Sequence, residues 1–316
     1  MYDVVAIGEL LIDFTCKALD KDGYPTMEAH PGGAPANYLA ALAKFGAKTA
    51  LLGKVGDDAF GRLLRSSLGR AGIDVGGLVT AGDVFTTLAF VTLDESGDRE
   101  FSFARKPGAD ARLGPEELRL DYIEQARVFH FGTLSLTEEP VRSSTEKALA
   151  CAKRLNKLIS FDPNLRLPLW RTPDEARKQM LWGLAQADVV KLSVEEAAFL
   201  FFTGPENAAE KILNEFGAAL VYVTCGAEGC VYQNKKARGR VPALSGLNIV
   251  DTTGAGDIFA GAAMFRLLRS GKAPGELDGA ELADIVRFAC AAAGLSATRP
   301  GGISSIPEYE EISALA

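Results

Sequence analysis

Asp251-Thr252-Thr253-Gly254-Ala255-Gly256-Asp257-Ile258-Phe259-Ala260-Gly261 is the stretch on which the reading of the whole chain turns. The apolar run at 247–250 just before it reads as a strand, and residues 258–268 after it carry apolar side chains at helical spacing. A glycine-rich turn feeding a helix aims several backbone N–H groups at one point. The helix dipole adds positive potential there, so such a turn holds an anion. Asp257 stands inside this turn. Its carboxylate either caps the helix or sits beside the bound anion and accepts a proton from an attacking hydroxyl, as phosphoryl transfer requires. Gly254, Ala255, Gly256 and Asp257 would supply the donors and the base together.

Outward from that turn the chain alternates. Short apolar, β-branched runs at 4–7, 48–54, 128–131, 158–162, 189–192 and 220–224 read as buried strands. Amphipathic stretches at 32–45, 58–71, 137–155 and 195–202 separate them as helices. This predicts an α/β fold, a doubly wound, mostly parallel sheet with helices on both faces. One segment breaks the alternation. Residues 85–91 and 99–103 are strand candidates joined by the polar turn 94–98, a hairpin signal. With residues near 12–28 it would form a small sheet standing off the main body, either a plain surface hairpin or a lid over a ligand cleft.

Composition narrows the function. The 316 residues carry a formal net charge of −7, with pI about 5.1 and mean hydropathy +0.08. An acidic chain is a poor partner for nucleic acid. Five cysteines without metal-ligand spacing and two histidines argue against a zinc site and fit reduced thiols in a cytoplasmic protein. Asp3, Glu9 and Asp13 interrupt the first apolar run, and no stretch reaches the roughly 18 apolar residues of a membrane span. Neither a GxxxxGK[ST] loop nor a GxGxxG after the first strand occurs, which disfavours P-loop NTPases and dinucleotide-dependent dehydrogenases.

Three further clusters carry side chains suited to a ligand. In Gly32-Gly33-Ala34-Pro35-Ala36-Asn37 the glycines allow close backbone approach, and Asn37 offers a donor and an acceptor of the kind that suits sugar hydroxyls. The same residues also read as a plain helix-starting turn. Gly8-Glu9-Leu10-Leu11-Ile12-Asp13 puts Asp13 beyond a strand end, where α/β sheets bind ligands, or merely in a solvated loop. Phe161-Asp162-Pro163-Asn164-Leu165-Arg166 offers Arg166 to an anion and Asn164 to a phosphate or a metal-bound water, or is a turn with a surface arginine.

Together these residues resemble the ribokinase-like (PfkB) carbohydrate kinases. Gly32 to Asn37, with Gly53 and Gly56, resembles one family signature and Asp251 to Gly261 the other, and the order of elements matches over the whole chain. The resemblance implies one kinase domain over 1–316, with a β-sheet lid from about 12–28 and 85–110. It implies Asp257 as catalytic base, with the N–H groups of Ala255, Gly256 and Asp257 as the anion hole. Asp13, Gly32, Gly33 and Asn37 would hold sugar hydroxyls, with Phe101, Phe103 and Arg105 facing the sugar from the lid. Thr224, Gly226 and Gly229 match the nucleotide turn T-x-G-x-x-G, and Cys290 falls in the adenine pocket. Lys191, Ser193 and Glu196 lie at the family's N-x-x-E motif, where Ser193 replaces Asn and Glu196 keeps the carboxylate linked to Mg²⁺ through water. The implied reactants are ATP and a small sugar, with Mg²⁺, and with K⁺ at the loops 251–253 and 296–302. The residues most resemble the fructokinase branch. The alternatives are a 2-keto-3-deoxygluconate kinase using Arg105 and Arg166 as a carboxylate clamp, a ribokinase, or a non-catalytic sugar or nucleotide sensor. A homodimer through the lid is the implied assembly.

Overall fold

The computed structural model describes residues 1–93 and 99–315; the side chains of residues 92, 93 and 99–101, and the whole expected turn at 94–98, lie outside the described residues. The strands are β1 (Tyr2–Ile7), β2 (Leu11–Leu19), β3 (Pro25–Gly32), β4 (Thr49–Gly56), β5 (Ile73–Asp74), β6 (Leu78–Ala81), β7 (Leu88–Leu93), β8 (Arg99–Ala104), β9 (Ala126–Phe131), β10 (Leu158–Phe161), β11 (Val189–Ser193), β12 (Leu220–Thr224), β13 (Cys230–Asn234) and β14 (Arg238–Val241).

Alternation along each central strand builds the main body. Val4 and Ala6 of β1 enter one apolar core while Val5 and Ile7 enter the other; in β12, Leu220 and Tyr222 part from Val221 and Val223 in the same way. Successive side chains of a strand point to opposite faces, so a strand apolar at every position needs a layer on each side. Helices supply both layers. The ten-stranded sheet runs β14-β13-β12-β11-β10-β9-β1-β4-β5, with β6 beside β4. The ladder from β12 through β5 is parallel, and the β12-β13-β14 edge is antiparallel. No helix of the described residues is long and apolar enough to cross a membrane.

A separate four-stranded sheet, ordered β3-β2-β7-β8, forms the lid. Its bounds differ from the sequence expectation at two places. Phe85 is 78 % exposed and β7 begins only at Leu88. Residues 105–110 leave the lid: Ala109, Asp110 and Ala111 are buried, and Ala111 packs into the core of the main body.

The expected strand at 247–250 does not form. Ile249 and Val250 are 54 % and 56 % exposed, and the N–H groups of Val250 and Asp251 bond the Ala297 carbonyl instead of a strand. Held against Ala297 rather than against the β14 edge, this apolar run becomes the wall of a cleft. The helix after the turn is longer than the spacing suggested, Ala255–Ser270, and buries one face against the Ala34–Lys44 helix: a Cβ on Gly261 would lie 2.7 Å from the Tyr38 carbonyl.

Candidate active site

The turn at 251–257 separates two cavities at the C-terminal edge of the parallel strands. One, of about 740 Å³, is lined by Glu9, Asp13, Asn37, Phe103, Arg166 and Asp257 among others. The second, of about 620 Å³, is lined by Thr224, Gly226, Gly229, Gly256, Phe259 and Cys290 among others. Thr252 lines both, with Gly254 and Asp257 on one side and Ala255 and Gly256 on the other. A group held at this turn reaches either cavity.

Asp257 does not cap its helix. Gly254 is the N-cap residue, in the left-handed region at φ 74°, and a Cβ there would lie 3.1 Å from Asn37 Nδ2 and 3.2 Å from Gly302 Cα. The Asp257 carboxylate is buried and is gripped by two amides: Asn37 Nδ2 donates to Oδ2 and Asn164 Nδ2 to Oδ1, each at 2.9 Å. Both amides are neutral, so they fix the carboxylate without supplying a cation. Asn164 reaches this position from the left-handed region, φ 48°, which Asn tolerates. Expected at a phosphate or a metal-bound water, Asn164 instead holds the carboxylate from the first cavity. Of the three amides expected to form an anion hole, that of Ala255 donates to the Thr252 carbonyl within the turn at 3.2 Å. Gly256 and Asp257, second and third in the helix, keep N–H groups that no helical carbonyl can reach.

The first cavity holds most of the residues expected at a sugar. Asp13 stands over Gly32, where a Cβ would fall 2.0 Å from its Oδ2, so only glycine leaves room for the carboxylate. Burial pushes the Asp13 carboxyl up to about 7; Arg166 pulls it down, and Asp257 and Asp251 raise it further. Gly33, at φ 115°, folds over the Glu9 carbonyl. Asn37 is buried, and its Oδ1 has no partner among the described residues. Phe103 lines the cavity from the lid; the Phe101 side chain lies outside the described residues.

Arg105 is elsewhere. It is buried at the base of the lid, where Nε donates to Asp110 Oδ2 at 2.8 Å, Nη1 to Thr137 Oγ1 at 2.8 Å and Nη2 to the Leu134 carbonyl at 2.9 Å. Thr87 closes this network on Asp110 Oδ1. Every edge of the guanidinium is engaged by the protein, so the expected contact with a sugar is corrected to a structural one.

The second cavity has a mostly apolar lining. Gly226 and Gly229 adopt φ 54° and 91°, and a Cβ on Gly229 would lie 2.0 Å from the Val241 carbonyl, so the turn between β12 and β13 demands glycine. Leu247 and Ile249, read from sequence as strand residues, form part of the wall, and Cys290 sits buried on it. Burial pushes the Cys290 thiol up to about 12, which leaves it an inert apolar surface.

Lys191, Ser193 and Glu196 lie beneath the turn. Ser193 caps the Val194–Phe201 helix in a capping box: its Oγ accepts the Glu196 N–H at 3.2 Å, and Glu196 Oε2 accepts the Ser193 N–H at 2.7 Å. Serine caps as well as asparagine, which accounts for the replacement. Glu196 Oε1 also takes the Leu165 N–H at 2.7 Å, tying this helix to the 162–166 loop. The buried Lys191 Nζ pairs with Asp162 Oδ2 at 3.0 Å and lies 2.9 Å from where a Cβ on Gly256 would be. Burial pulls its pKa down, but Asp162, Glu196 and Asp257 hold the ammonium above its ordinary range. Among the described residues no three acidic, His or Cys side chains converge on a metal position. Mg²⁺ binds through one or two carboxylates together with substrate phosphates and waters, so the single fixed carboxylate of Glu196 fits it.

Sequence reasoning singled out Asp257, Asn37 and Asn164 without foreseeing that they meet. It missed Glu9 as a wall of the first cavity, although Glu9 lies inside the Gly8-to-Asp13 stretch. It also missed Asp110, whose only signal is an acidic residue five positions after Arg105.

Comparison with known proteins agrees with this geometry. The pattern of the "pfkB family carbohydrate kinase" matches residues 1–309. "Fructokinase-1" of Oryza sativa subsp. japonica is 42 % identical over 315 residues, covering 98 % of this chain and 96 % of that protein. The crystal structure of fructokinase with bound ATP from Xylella fastidiosa superposes with a TM-score of 0.90 at 31 % identity, covering 100 % of this chain and 98 % of that one. Fructokinase from Vibrio cholerae O395, in a form with fructose, ADP and calcium ion bound, gives a TM-score of 0.86 at 31 % identity over 99 % of both chains. A buried carboxylate aimed by two amides, set at a turn between two cavities, and a family pattern spanning nearly every residue lead to one conclusion: the chain belongs to the pfkB family of carbohydrate kinases, the sugar phosphotransferases.

Proposed function

We propose that this kinase is a fructokinase, transferring the γ-phosphoryl group of ATP to the primary hydroxyl of fructose. The observation that carries the choice of sugar is the charge of the first cavity. Glu9, Asp13 and Asp257 line it against one guanidinium, Arg166, while Arg105 is engaged with Asp110. A neutral sugar suits such a wall. An acid such as 2-keto-3-deoxygluconate would meet the Asp257 carboxylate, two further carboxyls, Glu9 and Asp13, that burial leaves part-ionised near pH 7, and half of its expected clamp. The fructokinase relatives support the same choice.

In this reading the sugar lies in the first cavity, its hydroxyls held by Asp13, Asn37 and the Gly33 backbone. ATP lies in the second, its base against the Cys290 wall and its phosphates over Gly226 and Gly229. The tail reaches the turn, where the Gly256 and Asp257 N–H groups receive it. Asp257 accepts the proton as the hydroxyl oxygen bonds to the γ-phosphorus and the bond to the ADP oxygen breaks. Asp257 then returns the proton to solvent. Lys191 and Arg166 offset the charge that spreads over the transferring group, so positioning and electrostatics carry the catalysis. Glu196 would hold Mg²⁺ through water. Held there, the ion would supply positive charge to the phosphates that Gly256, Asp257 and Lys191 position. The loops proposed for K⁺ are tied together, since Asp251 Oδ2 accepts the Gly301 N–H at 2.9 Å. The free thiols support a cytoplasmic setting.

A coupled ADP-release assay over fructose, 2-keto-3-deoxygluconate, ribose, glucose and nucleosides tests the proposal. Fructose should give the highest kcat/KM. Turnover of the keto acid with none of fructose overturns it.

A further inference from the structure

We infer that Glu9 is a positioning residue for the acceptor sugar, locking the Gly33–Ala34 turn onto the end of β1 so that Asn37 and the Gly33 backbone stay at the sugar wall. The inference rests on the first cavity being the sugar site.

Glu9 is 4 % exposed and lines that cavity. Its Oε1 accepts the Ala34 N–H at 2.9 Å, at the first residue of the Ala34–Lys44 helix, where no helical carbonyl is available. The backbone interlocks at the same place. A Cβ on Gly33 would lie 2.5 Å from the Glu9 carbonyl, and a Cβ on Gly8 would lie 2.5 Å from Pro35 Cγ. Residues 8–9 and 33–35 are thus pressed together, and the Glu9 carboxylate bonds across the join. Asn37 follows one turn later and grips Asp257. A slip at Ala34 therefore moves both the sugar wall and the carboxylate that faces it.

The charges around Glu9 come from every side. Arg105 and Asp110 act on it from the lid base, and Asp13, Asp257 and Arg166 share its cavity. Burial, the largest effect, pushes the Glu9 carboxyl up to about 7, against the pull of backbone N–H groups. An ionised carboxylate is the stronger acceptor, so its grip on Ala34 tightens as pH rises through 7.

The experiment compares Glu9→Ala and Glu9→Gln with the native enzyme in fructose and ATP kinetics across pH 6–8. Glu9→Ala should raise the fructose KM about tenfold, the scale of one lost charge-assisted hydrogen bond, and leave the ATP KM within about twofold. Glu9→Gln, whose amide carbonyl still accepts the Ala34 N–H, should recover the fructose KM to within about threefold and lose part of its fall with rising pH. An unchanged fructose KM in Glu9→Ala, or equal rises for both substrates, overturns the inference. Should Glu9→Ala not fold, the Glu9→Gln pH profile decides: one identical to the native profile overturns it. If the native protein phosphorylates no fructose, the proposed function fails by itself. Fructose affinity measured by calorimetry on the native and Glu9→Gln proteins then tests Glu9 separately.

Discussion

Asn37 Nδ2 donates to Asp257 Oδ2 at 2.9 Å across 220 positions of sequence, and it is this bond that joins the first glycine cluster to the second. Asn164 completes the grip from the other side at 2.9 Å. The two amides leave the carboxylate one orientation, toward the cavity it lines. In the proposed role of general base, geometry comes first and basicity second, and the two amides supply that geometry.

Asp257→Ala should therefore lower kcat by at least about 10²-fold, the low end for loss of a general base. ATP affinity should change little, because Gly256 and the N–H group of residue 257 remain. Single-turnover ADP release with calorimetric ATP binding measures both, and near-native turnover would remove Asp257 from its role.

Arg105 and Arg166 should separate cleanly. Arg105→Ala leaves Asp110 buried without its partner and should cost about 3–5 kcal/mol of stability, read as a lower urea midpoint. Arg166→Ala, half-buried on the cavity wall, should change stability by less than about 1 kcal/mol and act on turnover instead. An Arg105→Ala protein with native stability and a specific loss of sugar binding would return Arg105 to the sugar site.

Asp13 makes stability depend on pH with a definite sign. Its carboxyl ordinarily titrates at 3.8 and is pushed up to about 7 in the fold. Between those values the folded chain holds a proton that the unfolded chain has released, so rising pH favours unfolding, and the loss is complete above about 7. Asp13→Asn should remove on the order of 1–3 kcal/mol of this slope. Thermal midpoints of both proteins from pH 4 to 8 check it. His130 is buried neutral, its imidazole pushed down to about 3, and slopes the opposite way in both proteins, so it cancels in the difference. Parallel curves for native and Asp13→Asn would show that Asp13 titrates normally.

Local chemistry was enough to read the parallel sheet and the glycine turn before the Ala255–Ser270 helix, because these rest on period-2 and period-3.6 apolar spacing and on residues adjacent in the chain. The run at 247–250 was misread for the same reason. Apolar side chains mark a surface that something covers, but not whether a strand or a ligand covers it. Tertiary structure alone decided that Asn37 and Asn164 meet at Asp257, that Arg105 turns inward to Asp110, and that Glu9 reaches Ala34. These are contacts between groups whose pairing depends on where separate elements dock. A buried guanidinium or carboxylate takes whichever partner the packing brings within hydrogen-bond reach, and that choice has no signature along the chain.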